Sequence, residues 1–193
     1  MCVYPHVSQT VQFRDRVVVL GVGALGFASM CIAKGMGAKQ IVAVDLDDAK
    51  LEFAKAHGAD VVINPNTVDN VADAIWEATD GEGADSVLEV TGEPECIQLL
   101  PYITKFGGRI GQIGACCKLV PVDWSYFHFR GLSINKCVVG SGMINAHNAP
   151  NSNHGFDIAL DLIESGIVPM GEFIDYTLDL TLENLEKAFD RAL

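Results

Sequence analysis

Basic residues are scarce in this chain: 13 Lys and Arg stand against 25 Asp and Glu among 193 residues, a formal net charge of −12. No two of the basic residues are adjacent, so no cationic cluster can be read along the sequence. Nucleic acid and anionic membrane surfaces, which bind through clustered cations, are therefore not expected partners. A secretory leader is also missing, since Met1 to Gln12 holds no basic segment followed by an apolar one, and the expected location is cytoplasmic. No Cys-x-x-Cys occurs among Cys2, Cys31, Cys96, Cys116, Cys117 and Cys137, which reads as reduced thiols. The adjacent Cys116 and Cys117 are poorly placed for a disulfide with each other. Residues 17–33 carry no charge, yet their glycines and change of period fit strand, turn and helix in a soluble core rather than a membrane span. Internal repeats and low-complexity segments are absent.

What is present is an alternation. Strand-length apolar runs near 16–20, 40–45, 60–63, 86–90, 108–113 and 132–138 are separated by helix-length stretches at 24–37, 47–57, 68–79 and 94–104. That pattern predicts an α/β fold, a Rossmann-type doubly wound six-stranded parallel sheet in a single domain. Asp47 or Asp48 is expected to cap the second helix, Asn66 or Thr67 the third, and Pro94 to open the fourth. Past 145 the sequence loosens into a polar loop. A helix is then expected over 156–165, and a short strand and a helix capped at Thr181 over 173–193.

The chemistry-bearing motif is Val17-Val18-Val19-Leu20-Gly21-Val22-Gly23-Ala24-Leu25-Gly26. After a strand, Gly21 permits the tight turn, Gly23 lets backbone approach a pyrophosphate, and Gly26 lets the next helix pack closely. The N–H groups that open that helix, with its positive dipole end, suit phosphate oxygens. Asp45 closes the run Ile41 to Val44, where a carboxylate can accept from a ribose 2′-hydroxyl. NAD is expected over NADP, because a 2′-phosphate would meet Asp45, Asp47 and Asp48. Thr91-Gly92, Ile113-Gly114 and Val139-Gly140-Ser141 each follow a predicted strand end and would lie near the cofactor.

With Gly21 to Gly26, Val44-Asp45, Lys50, His57-Gly58-Ala59-Asp60 and Glu89-Val90-Thr91-Gly92 in place, the chain resembles the medium-chain dehydrogenase family over about residues 14–193. The resemblance implies pyrophosphate bonds from the Ala24 and Leu25 N–H groups, ribose binding by Asp45, and Lys50 beside it. It also implies a nicotinamide side lined by Thr91, Ile113, Gly114 and the backbone of Cys137, Val138 and Val139. Residues 1–13 would be the remnant of an interdomain connection and 14–193 the NAD-binding domain. Members acting on alcohols and polyols hold a catalytic zinc in a separate domain with a Gly-His-Glu motif, which does not occur here. No zinc ligands are expected in this chain, and little or no turnover from it alone. The family often dimerises through the region that includes 132–138, and an outer strand there invites pairing, so a homodimer is expected. A stand-alone NAD-binding protein is the alternative. An S-adenosylmethionine methyltransferase is disfavoured because no acid enters the Leu20 to Gly23 turn, and a short-chain dehydrogenase because no Tyr-x-x-x-Lys occurs.

Overall fold

A computed structural model describes residues 3–136, 154–174 and 177–192. Six parallel strands form one sheet: β1 (Arg16–Leu20), β2 (Gln40–Val44), β3 (Val61–Ile63), β4 (Ala84–Glu89), β5 (Thr104–Gln112) and β6 (Ser133–Lys136), in spatial order β3-β2-β1-β4-β5-β6. The order reverses between β1 and β4, which sets the switch point where the crevice of a doubly wound sheet opens. Among the described residues the helices are α1 (Val3–Thr10), α2 (Ala24–Gly35), α3 (Asp48–Ala56), α4 (Val71–Ala78), α5 (Pro94–Ile103), α6 (Trp124–Arg130), α7 (His154–Glu164) and α8 (Leu182–Ala192), with 3-10 turns at Pro65–Thr67 and Met170–Phe173.

Strand periodicity divides the core into two faces. Val17 and Val19 join Val7, Phe27, Met30, Ile41 and Leu88 on one side of the sheet. Val18 and Leu20 join Val42, Val44, Ile75, Val87, Leu100 and Ile110 on the other. Burial on both faces is why β1 reads as an unbroken apolar run instead of an alternating one.

The six strands and the helices after β1, β2, β3 and β4 follow the sequence expectation. Elements without a strong period do not. The sequence predicts no element over Val3–Thr10, yet it is a helix whose Val3 and Val7, with Val11 just beyond, are buried in the first core face. Polar contacts fix its end: Arg109 Nε donates to the Thr10 carbonyl (2.7 Å), and Ser86 Oγ lies 2.9 Å from the same oxygen. Asp15 Oδ2 in turn accepts from Arg109 Nη2, Ser86 Oγ and Gln12 N, each at 2.7 Å. The other unforeseen helix, α6, is one short stretch capped by Asp123 and stopped by Gly131 at φ +63°. At the third expected helix the cap is Asn70, which accepts from Ala72 N and Asp73 N, and not Asn66 or Thr67. Those two residues fall inside the 3-10 turn that Pro65 starts and Asn64 caps. Past the 3-10 turn at Met170–Phe173, no strand forms over 177–181, where the expected strand would continue. Asp47 caps α3, Pro94 opens α5, and Thr181 Oγ1 accepts from Asn184 N at the start of α8 (3.2 Å), as the sequence predicts.

Candidate functional site

The site assembles at the carboxyl ends of β1, β2, β4 and β5. Gly21 leaves β1 at φ +88°, a conformation that a side chain disfavours, and its N–H continues toward β2 by donating to the Val44 carbonyl (2.8 Å). A Cβ on Gly26 would stand 1.8 Å from the Gly21 carbonyl oxygen, so only glycine lets α2 come this close to the turn. Gly23 is the opposite case: a Cβ there would meet nothing within 4 Å. Its backbone therefore borders open space at the mouth of α2. No side chain caps that helix and its first turn holds no acid, so the N–H groups of Ala24 and Leu25, both exposed residues, remain for an anion.

Asp45 sits just past β2. Its Oδ2 accepts from Val22 N inside the glycine turn (2.8 Å) and its Oδ1 accepts from Asp47 N (3.1 Å), so one carboxylate fixes both the turn and the approach to α3. Lys50 stands further along on α3, with its ammonium 3.9 Å from Asp47 and about half exposed. On the other side of the switch point, Thr91 leans toward the glycine turn, its Cγ2 lying 2.7 Å from where a Gly21 Cβ would be. Ile113 N (2.8 Å) and Gly114 N (3.0 Å) both donate to the Glu89 carbonyl, so these two N–H groups are committed within the protein. The structure thus gathers Gly21, Gly23, Ala24, Leu25, Gly26, Asp45, Thr91, Ile113 and Gly114 around the strand ends, with Lys50 at the margin. Cys137, Val138 and Val139 lie outside the described residues.

Sequence reasoning passed over Glu89 as a site residue. It is fully buried at the end of β4, and its Oε1 accepts from Thr91 Oγ1 (2.6 Å), Thr91 N (2.8 Å) and Gly92 N (2.8 Å). The available signal was an acid closing an apolar strand, the same pattern that singled out Asp45. Nearby Cys96 is a partly buried thiol whose pKa is raised by burial, against a hydrogen bond with Thr91 that lowers it. Burial pushes the thiol of Cys31, on the buried face of α2, up to about 11. Both stay neutral near pH 7.

Among the described residues, no group of three or more His, Cys, Asp or Glu side chains comes together as a metal site. No helix among them is long and apolar enough to cross a membrane. A concavity of ≈430 Å³ lined by Ile174, Leu178, Leu180 and Leu185, among others, shares no residue with the glycine turn.

Together these features define a doubly wound α/β unit with an anion-ready glycine turn at its switch point. A family profile described as zinc-binding dehydrogenase matches residues 24–163, and the chain belongs to that family. It is 33% identical over 172 residues to the erythritol/L-threitol dehydrogenase of Mycolicibacterium smegmatis, covering 89% of this chain and 44% of that protein. The solved alcohol dehydrogenase TADH of Thermus sp. ATN1 superposes with a TM-score of 0.83 at 25% identity, over 99% of this chain and 52% of the other. A zinc-binding dehydrogenase of Sinorhizobium meliloti, solved bound to NADP, shares the fold at a TM-score of 0.72 and 21% identity, over 86% of this chain and 46% of its own. The chain spans half or less of the length of the curated relatives it matches. Family membership sets aside the methyltransferase alternative.

Proposed function

We propose that this chain binds NAD(H) as the coenzyme-binding unit of a zinc-type dehydrogenase acting on alcohols or polyols. The observation that carries this reading is the uncapped N-terminus of α2 facing the open side of Gly23, flanked by the Asp45 carboxylate. When bound, the nicotinamide supplies or accepts the hydride. The protein's own part is positional. Ala24 and Leu25 N–H groups donate to the pyrophosphate, and Asp45 accepts from the adenosine ribose with Lys50 beside it. Thr91, Ile113 and Gly114 border the nicotinamide half. Asp45, Asp47 and Asp48 disfavour a 2′-phosphate, which is the reason to read NAD here although a protein of the same fold was solved with NADP.

Residues 14–193 are read as the coenzyme-binding unit, with α1 packed onto its core through Val3 and Val7 and followed there by Val11. The described residues assemble no zinc ligand set, so no step through zinc is assigned to them, and the chain by itself is expected to hold coenzyme without turnover. The edge position of β6 supports a homodimer formed through that strand, and the lack of clustered basic residues argues against nucleic-acid or anionic membrane-surface partners. Titration of nicotinamide fluorescence with NADH and NADPH tests the reading: NADH is expected to bind more tightly. Equal affinities remove the NAD assignment, and binding of neither removes the function. Alcohol-dependent NADH formation by the chain alone, with or without added zinc, would refute the division of labour, and a monomer in sedimentation at micromolar concentration would refute the dimer.

A further inference from the structure

We propose that Glu89 is the positioning residue for the nicotinamide half of the site, a role that rests on the coenzyme reading above. Residue 89 ties together both turns on that side of the switch point. Its carboxylate Oε1 holds the Thr91–Gly92 turn through three donors at 2.6–2.8 Å, while its main-chain carbonyl holds Ile113 and Gly114. Thr91 Oγ1 extends the chain of bonds by accepting from Glu93 N, at the start of α5 (3.0 Å). The second carboxylate oxygen, Oε2, is buried with no hydrogen-bond partner among the described residues and lies against Gly114, where an added Cβ would be 2.9 Å from it and 2.2 Å from Gly92 N.

A fully buried acid with one oxygen triply engaged and the other unmet is not how a core is normally filled. The arrangement is explained if the geometry of the two turns matters more than the satisfaction of the acid that sets them. Two mononucleotide halves meet at the switch point, and the β4–β5 ends border one of them while the β1–β2 ends border the other. The Asp45 carboxylate is bonded to the glycine turn and the Glu89 carboxylate to the Thr91–Gly92 turn opposite, while Ile113 and Gly114 are held by the residue 89 main-chain carbonyl, which a side-chain substitution leaves in place. Loss of the Glu89 charge therefore acts on one half of the ligand.

NADH and ADP-ribose, which lacks the nicotinamide ring, separate the halves. In Glu89→Gln the bonds to Thr91 and Gly92 lose their ionic character, and NADH is expected to bind about tenfold more weakly, with its bound-state emission shifted toward that of free NADH. ADP-ribose affinity is expected to stay within about twofold of wild type. Thr91→Val and Thr91→Ser give a second measurement if Glu89→Gln does not fold. The valine, which deletes the hydroxyl bond to Glu89, is expected to lose NADH selectively by about threefold, and the serine, which keeps that bond, is expected to bind NADH more tightly than the valine. Equal weakening of both ligands, or no change in either, overturns the positioning role of Glu89 while leaving the coenzyme reading intact. Failure of the wild-type chain to bind NADH or ADP-ribose overturns the coenzyme reading, and this role with it.

Discussion

At the residue scale, glycine and carboxylate do the work that the chain's larger side chains cannot. Gly26→Ala would drive a Cβ to 1.8 Å from the Gly21 carbonyl, so α2 must shift away from the turn. We expect NADH binding to be lost in titration and the melting temperature to fall, whereas Gly23→Ala, which meets nothing within 4 Å, should lower affinity with little change in melting. Asp45→Asn weakens a charge-assisted acceptor and is expected to reduce NADH affinity by about ten- to a hundredfold, from roughly 1.5–3 kcal/mol. An unchanged dissociation constant would leave Asp45 as a brace for Val22 and Asp47 alone. Asp45 and Gly21, Gly23 and Gly26 were legible because their roles are local: each follows a strand at a fixed offset. Glu89 was not singled out, since a buried acid is recognisable only when the turns it accepts from, 91–92, are seen folded back onto it.

At the element scale, packing decided what propensity left open. Val7 on α1 is completely buried, and Val7→Ala removes two methyl groups, about 1.6 kcal/mol at about 0.8 each before any cavity term, measurable by urea unfolding. A pendant tail would give no change. A second contact joins the C-terminal segment to α3. His57, just past α3, packs on Phe27 and Phe53, and its Nε2 lies 2.9 Å from Glu172 Oε2. The hydrogen bond that His57 donates to Glu172, then that to the Phe53 carbonyl, raise its pKa above the ordinary value. A raised native pKa means that the imidazolium is favoured in the folded state. The contact therefore stabilises fully below about pH 6.5 and fades as pH rises through the native value. Because Glu172 is largely exposed, the effect is expected to be under about 1 kcal/mol. Unfolding free energies from pH 5 to 8 should show this decline in wild type and a flatter profile in Glu172→Gln. The helices α1 and α6 had no period strong enough to announce them, one being eight residues and the other seven.

At the scale of the whole molecule, stability is concentrated in the sheet and the helices packed on it. Over 177–190, every residue except Asn184 and Ala188 is exposed, including Leu178, Leu180, Leu182 and Phe189. Removing residues 177–193 is expected to shift the melting temperature by less than about 2 °C and to lower binding of an apolar-surface dye. A large loss of stability would show that the segment is integral to the core. The sequence by itself determined the alternation of strands and helices, the parallel sheet and the glycine turn with its acid, because these depend on period and on short fixed spacings along one stretch of chain. Only the tertiary structure decided that α1 joins the core, that Asp15, Ser86 and Arg109 clamp its end, and that Glu89 governs two turns at once. Those arrangements join residues up to about a hundred positions apart, and a buried polar group declares its purpose only through the partners that folding brings to it.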